Sequence, residues 1–213
     1  MDQASVLTDV QALRKRARQH LDEGAVTPGY SADREAVLKQ LNDSLATELV
    51  CVLRYRRHHF MAKGIHSQGV AAEFLAHSNE EQGHADQLAG RIVQLGGEPD
   101  FSPNGLAARS HAEYVAGVTL IDMIREDLVA ERIAIETYRE IIRFFGDRDP
   151  TSRTMMEEIL AKEEEHADDL TDLLFAVDPA TGKGSRPLYF ADEVQTASGP
   201  GSAVGRKPGS KPS

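Results

Sequence analysis

The fold is decided by two short stretches, EEQGHADQL at residues 80–88 and EEEHADDL at residues 163–170. Aligned on their histidines, both read Glu-x-x-His-Ala-Asp-x-Leu, with Glu81 and His84 in one copy and Glu163 and His166 in the other. Residues three apart on a helix share a face, so each copy presents a carboxylate beside an imidazole. The repetition predicts two related helices that contribute matching groups to one site.

A single glutamate precedes each copy at nearly the same distance. Glu48 lies 33 residues before Glu81, and Glu131 lies 32 residues before Glu163. All four glutamates fall on helical stripes that are otherwise apolar. Burying a charged carboxylate without a partner costs free energy, and four converging carboxylates also repel one another. Divalent cations bound between them would compensate both the burial and the repulsion. The pattern predicts a dinuclear metal site, and the alternative is a buried ion-pair network with nearby arginines.

Apolar positions recur at spacings of three and four along four long segments. No stretch alternates apolar and polar residues for long enough to indicate a β-sheet. The predicted helices run from about Ser31 or Asp33 to Lys63, from about Val70 to Leu95, from about Ala112 to Phe145, and from Pro150 to Val177. The first and third links are short, and the middle one is long. The sequence therefore predicts an all-α, antiparallel four-helix bundle with a long connection between its second and third helices.

The two ends of the chain differ from the bundle in composition. Residues 1–30 predict a short amphipathic helix followed by a linker, residues 31–177 the bundle, and residues 178–213 a mostly disordered tail rich in Gly, Pro and Ser. The formal net charge of −10 argues against a globally basic nucleic-acid binder. The single cysteine and a start without an apolar signal region predict a cytoplasmic protein, and no apolar run is long enough to predict a membrane span.

At these residues the chain resembles the ferritin-like superfamily, and most of all bacterioferritin. The resemblance rests on LNDSLATELV at 41–50, REDLVAERIA at 125–134 and the two Glu-x-x-His stretches. It implies a di-iron site with manganese or zinc as other occupants, in which Glu81 and Glu163 bridge the ions. The terminal ligands that it implies are Glu48, His84, Glu131 and His166. It also implies that Tyr55, seven residues after Glu48, donates a hydrogen bond or an electron at the site, and the alternative is a core tyrosine.

Departures from the family pattern narrow the resemblance. Gln82 stands where bacterioferritin has its haem-ligating methionine, so haem is not expected. A fifth short helix is not evident after the fourth. Its absence favours a cage of twelve subunits over one of twenty-four, and in this feature the chain resembles the DNA-protecting mini-ferritins. Cys51 is the only cysteine, so the cysteine pair of thioferritins is missing. Rubrerythrin carries a further glutamate where this chain has Ala134.

The resemblance implies a ferroxidase that oxidises Fe(II) with O₂ or H₂O₂ for iron storage and protection against oxidative stress, in a homo-oligomeric cage. One alternative keeps the two metal ions but changes the chemistry, to that of a manganese catalase-like protein or a peroxidase. Another is a DNA-binding protein that uses basic residues near both ends, namely Arg14, Lys15, Arg16, Arg18, Arg206, Lys207 and Lys211.

Overall fold

A computed structural model describes residues 9–64 and 67–178, and within these ranges every regular element is helical. The elements are α1 (Val10–Arg16), a 3₁₀ helix (Leu21–Glu23), α2 (Arg34–Met61), α3 (Ser67–Gln94), α4 (Leu106–Arg109), α5 (Leu120–Phe145) and α6 (Pro150–Val177). The long helices pair as α2 with α3 and α5 with α6. The predicted all-α four-helix bundle is confirmed. Except for its first residue, the predicted tail 178–213 lies outside the described residues.

Side-chain caps begin α2 and α6 where the sequence places the starts of these helices. Asp33 accepts a hydrogen bond from the backbone N–H of Ala36 at the start of α2. Asp149 accepts one from the N–H of Ser152, and Pro150 follows it at the first position of α6. Both carboxylates satisfy N–H groups that have no partner inside the helix. The third long helix is different, because its predicted start at Ala112 is wrong.

Helix α5 begins at Leu120 because the local sequence ends the preceding loop there. Gly117 adopts a positive φ of +62°, which a helix interior does not contain. Thr119 and Asp122 then form a capping box, in which each side chain accepts a hydrogen bond from the other residue's backbone N–H. Residues 112–119 are therefore loop. Helix α3 differs less, since it begins at Ser67 rather than at about Val70.

The N-terminal segment contacts the bundle through its linker rather than through its helix. The predicted amphipathic helix is present as the seven residues of α1, but its apolar Val10 and Leu13 are 50% and 37% exposed. In the linker, Val26 is buried and Tyr30 donates a hydrogen bond of 2.8 Å to Asp149. This contact joins residue 30 to the start of α6, so the linker is anchored while α1 stays exposed.

The core consists of two apolar clusters with a polar layer between them. One cluster joins the beginnings of α2 and α6 to the ends of α3 and α5, through residues such as Leu41, Leu88, Ile141 and Met156. The other joins the opposite ends, through residues such as Phe74, Ile124 and Leu170. Each fully buried side chain of this size contributes roughly 1.5–3 kcal/mol. No helix in the described ranges is long and apolar enough to cross a membrane.

Candidate metal centre

The polar layer between the two clusters contains all six side chains that the sequence predicts as ligands. Helix α2 contributes one of them, α3 two, α5 one and α6 two. They are buried, with His84 the most exposed at 5% and the others at 0–1%: Glu48, Glu81, Glu131, Glu163 and His166. The antiparallel packing thus brings together the middles of all four long helices.

The six side chains form two overlapping groups, each able to hold a metal ion. Within each group, one donor atom per residue lies within 4.8 Å of the others; the groups are Glu48, Glu81, His84, Glu163 and Glu81, Glu131, Glu163, His166. Two glutamates, Glu81 and Glu163, belong to both. In the first group, the Nδ1 atom of His84 lies 3.0 Å from Glu163, 3.1 Å from Glu81 and 3.5 Å from Glu48.

The second histidine, His166, faces the glutamates with one ring nitrogen and contacts another carboxylate with the other. The Nδ1 atom of His166 lies 3.4 Å from Glu81 and 3.8 Å from Glu163. Its Nε2 atom lies 2.9 Å from a carboxylate oxygen of Glu80, which is partly exposed. A carboxylate behind a histidine fixes the orientation of its ring and directs the other nitrogen to a ligand. Glu80 therefore positions His166, a role that the sequence did not reveal.

The buried side chains of the centre lack the basic partners and hydrogen bonds that an ion-pair network would provide. Among residues 9–64 and 67–178, none of the four glutamates forms an ion pair with an arginine or lysine. Four buried atoms also have no hydrogen-bond partner, one from each residue of the second group: Glu81 Oε1, Glu131 Oε2, Glu163 Oε1 and His166 Nδ1. Buried polar atoms are normally paired. The donor set therefore fits a bound cation better than an ion-pair network.

The pKa values of the six groups separate because burial and close contacts act in opposite directions. Burial and the charges of Glu163 and Glu81 raise the pKa of Glu48, and burial with the same two charges raises that of Glu131. Burial also acts to raise the pKa values of Glu81 and Glu163, but their close contacts with His166 and His84 outweigh it and lower both. The two shared carboxylates are therefore the most readily ionised.

The histidines respond in the opposite sense. Burial acts to lower the pKa of His84, but its contacts with Glu163, Glu48 and Glu81 raise that pKa to about 12. In the same way, contacts with Glu163 and Glu81 outweigh burial and raise the pKa of His166 to about 11. Without metal, both histidines are therefore protonated. A metal ion has to displace these protons, so its affinity falls as the pH falls.

Two tyrosines hold the two outer glutamates in a symmetric way. Tyr55 of α2 donates a hydrogen bond to Glu131 of α5, and Tyr138 of α5 donates one to Glu48 of α2. Both tyrosines are fully buried, and burial raises both of their pKa values, so they remain protonated donors. Each tyrosine stands seven residues after the glutamate of its own helix. That equal spacing was the signal for Tyr138, which the sequence prediction missed.

The family comparison agrees with this architecture. The ferritin model, described as a ferritin-like domain, matches residues 38–177, which include every side chain of the centre. This chain belongs to the ferritin family. The predicted membership of the ferritin-like superfamily is confirmed, and the matched range leaves out helix α1 and the tail.

Relatives of this ferritin-like chain come from several bacteria. Bacterioferritin BfrA of Mycobacterium tuberculosis is 31% identical over 159 residues, which are 74% of this chain and 93% of that protein. The nutrient stress-induced DNA-binding protein of Nostoc is 33% identical over 164 residues, or 75% of this chain and 84% of that protein. Among solved structures, the dodecameric thioferritin of Bacteroides fragilis is 29% identical with a TM-score of 0.67, covering 73% of this chain and 94% of that one.

Proposed function

We propose that this chain is a ferroxidase subunit whose buried centre binds two iron ions and oxidises them. The observation that carries the proposal is the overlap of two four-residue groups through Glu81 and Glu163. Two ions that share two carboxylates are held close enough to react with one oxidant molecule. Glu48 and His84 complete one ion, and Glu131 and His166 complete the other.

The charge and the chemistry of the donors support iron. Four carboxylates carry four negative charges, which balance two divalent cations in a site closed to solvent. Mixed imidazole and carboxylate donors suit iron or manganese, and zinc accepts them as well.

The side chains of the centre hold the two Fe(II) ions, and the surrounding apolar residues exclude bulk water. Two Fe(II) ions supply one electron each, so with O₂ and two protons they give two Fe(III) and H₂O₂, and with H₂O₂ and two protons they give two Fe(III) and two waters. Glu81 and Glu163 fix the distance between the ions. Tyr55 and Tyr138 hold Glu131 and Glu48 in place and are near enough to pass protons. The apolar clusters above and below keep bulk water out.

Assembly into a cage is part of the same proposal. The thioferritin that this chain resembles is described as dodecameric, and it supports twelve subunits over twenty-four. The single chain also exposes large apolar side chains on its long helices, such as Leu53, Phe60, Met61, Val129 and Phe144. Apolar surface of this kind is covered by neighbouring subunits in assemblies. A closed shell would then collect the Fe(III) product in its interior.

Basic residues of helix α1 bear on the predicted contact with DNA. Helix α1 presents Arg14, Lys15 and Arg16 on an exposed surface, and one relative is named as a DNA-binding protein. The net charge of −10 opposes this reading, so contact with DNA stays a prediction. Three further statements also stay predictions: the cytoplasmic location, the absence of haem, and the domain limits 1–30, 31–177 and 178–213. Catalase-like or peroxidase chemistry remains the alternative for the same two-ion centre.

An anaerobic titration of metal-free protein with Fe(II), followed by addition of O₂ or H₂O₂, tests the proposed function. We expect tight binding of about two Fe(II) ions per chain, because two groups of ligands are present. Addition of oxidant should then convert both ions to Fe(III), as measured by absorbance and by Mössbauer spectra. The faster oxidant shows whether storage or peroxide defence is the main purpose. Tight binding of fewer than two ions, or binding without oxidation, would refute the ferroxidase proposal.

Replacing Tyr138 with phenylalanine should weaken metal binding without unfolding the protein. The substitution removes the hydrogen bond to Glu48, so this carboxylate loses its fixed orientation. Loss of a partner behind a metal ligand lowers affinity by about 10–100-fold. Competition for Co²⁺ against a chelator measures the change. Tyr55→Phe should act similarly through Glu131, and Tyr114→Phe is the control, because that side chain is 47% exposed. Unchanged affinity in Tyr138→Phe would show that Glu48 is positioned without it.

A further inference from the structure

A third group of metal-ligand side chains lies beside the dinuclear centre. Glu73 and His77 come from α3, and Asp169 comes from α6. The Nε2 atom of His77 lies 3.4 Å from Glu73 Oε1 and 3.7 Å from Asp169 Oδ2. His77 is only 2% exposed, whereas the two carboxylate side chains are 40% and 48% exposed. The group thus has a buried nitrogen at its base and an opening to solvent formed by two carboxylates.

The hydrogen bonds around His77 show which of its nitrogens is free to bind a ligand. Tyr55 donates its only proton to Glu131, so the phenol oxygen can only accept from His77. The Nδ1 atom of His77 lies 3.3 Å from that oxygen and is therefore the protonated nitrogen. This tautomer leaves a lone pair on Nε2, a buried atom without a hydrogen-bond partner. The lone pair faces two carboxylates, an arrangement that is repulsive until a cation lies between them.

We propose that Glu73, His77 and Asp169 form a third divalent-cation site. Metal–ligand distances of about 2.0–2.2 Å, with ligands about 90–110° apart, place neighbouring donor atoms roughly 2.8–3.6 Å from one another. The separations of 3.4 and 3.7 Å are close to this range and too long or badly aligned for hydrogen bonds. Three protein donors and an open side leave room for water ligands. The site therefore binds a cation more weakly than the enclosed centre does.

The position of the third site gives it a task in loading the centre. The ring of His77 stacks on the ring of His166, with centroids 4.1 Å apart and planes inclined by 22°. His166 is itself a proposed ligand, so a cation held by Glu73 and Asp169 lies one imidazole away from the centre. This site receives Fe(II) from solvent and passes it inward. The loading task rests on the proposed ferroxidase function, whereas binding of a cation by the three residues does not.

Counting bound Zn²⁺ tests the site directly, because zinc is not oxidised. Calorimetry on metal-free protein should show about two tight ions and one weaker ion per chain, in accord with the three groups of ligands. The double variant Glu73→Gln, Asp169→Asn should lose the weaker ion and keep the tight ones. Both replaced side chains are partly exposed and outside the dinuclear centre, so the fold is retained. The matched control is Asp86→Asn, Asp172→Asn, which changes two exposed carboxylates of the same two helices.

The outcomes separate this site from the ferroxidase proposal. A third ion that is lost in the double variant and kept in the control supports the site, even if the protein fails to oxidise iron. Equal zinc counts in wild type and double variant overturn it. Loading is measured as the rate of Fe(II) oxidation at limiting iron. Removal of the two entry charges should lower that rate about tenfold, while the final amount oxidised stays the same. An unchanged rate would overturn the loading task.

Discussion

Replacing Glu163 with glutamine is expected to abolish the paired binding of iron and to lower the oxidation rate about 100-fold or more. Substitutions behind a metal ligand already cost 10–100-fold, and this residue belongs to both groups of ligands. Glutamine keeps the shape of the side chain but removes its charge, and its NH₂ group can bind no metal ion. The remaining carbonyl oxygen can bind at most one of the two ions, so the bridge between them is missing.

The matched control for this substitution is Glu158→Gln. Glu158 lies on the same helix, five residues earlier, and its side chain is exposed. Stopped-flow absorbance after mixing with Fe(II) and oxidant measures the rate, and circular dichroism confirms that both variants are folded. Wild-type rates in Glu163→Gln would show that the Glu-x-x-His pairs are structural. Loss of activity in Glu158→Gln to the same degree would show that acidic charge in general, and not the bridge, is responsible.

The sequence predicted the parts of the centre that are repeated along the chain. Two copies of Glu-x-x-His, each preceded by a lone glutamate, identify six residues because the same pattern occurs twice. Convergence of these six at mid-bundle followed from helical periodicity, since each lies on the stripe that faces the core. Tyr138 was missed although it repeats the spacing of Tyr55, because a tyrosine on an apolar stripe is also an ordinary core residue.

Single residues whose partners are far along the chain were harder to predict. Glu80 lies next to Glu81 in the sequence, but its contact is with His166, 86 residues away. The start of α5 was placed too early because apolar residues continue through 112–118, although Thr119 and Asp122 carry the capping signal. Such features depend on the tertiary arrangement, in which a side chain gains a partner from another helix. Periodicity describes only which face a residue occupies.

The largest feature that the sequence left hidden is a buried charged network next to the centre. Arg54 donates to Asp127 at 2.7 Å, and His58 lies 2.8 Å from the other oxygen of the same carboxylate. All three side chains are fully buried. Arg54 also donates to the backbone oxygen of Glu113, and a ring nitrogen of His58 contacts that of Ala116. The network therefore attaches the loop before α5 to α2, one helical turn from Glu131.

Replacing Asp127 with asparagine should destabilise the protein by about 3–5 kcal/mol, because removal of one partner leaves the other charge buried without compensation. Arg54 cannot lose its proton under ordinary conditions, so the penalty cannot be avoided by neutralisation. Denaturant unfolding of the metal-free protein measures the change in free energy. The double variant Arg54→Met, Asp127→Leu removes both charges and should recover much of the loss. A double-mutant cycle then gives the coupling energy between the two residues.

The comparison with an exposed ion pair shows why burial decides the size of this effect. Arg139 and Glu164 lie 2.6 Å apart, nearly the same separation as the buried pair, but their side chains are 45% and 49% exposed. Water already solvates both groups, so Glu164→Gln should cost only about 0–1 kcal/mol. Similar small losses in Asp127→Asn and Glu164→Gln would contradict the assigned role of the network. A large loss in Asp127→Asn that the double variant does not recover would mean that packing around Asp127, rather than the uncompensated charge of Arg54, stabilises this end of the bundle.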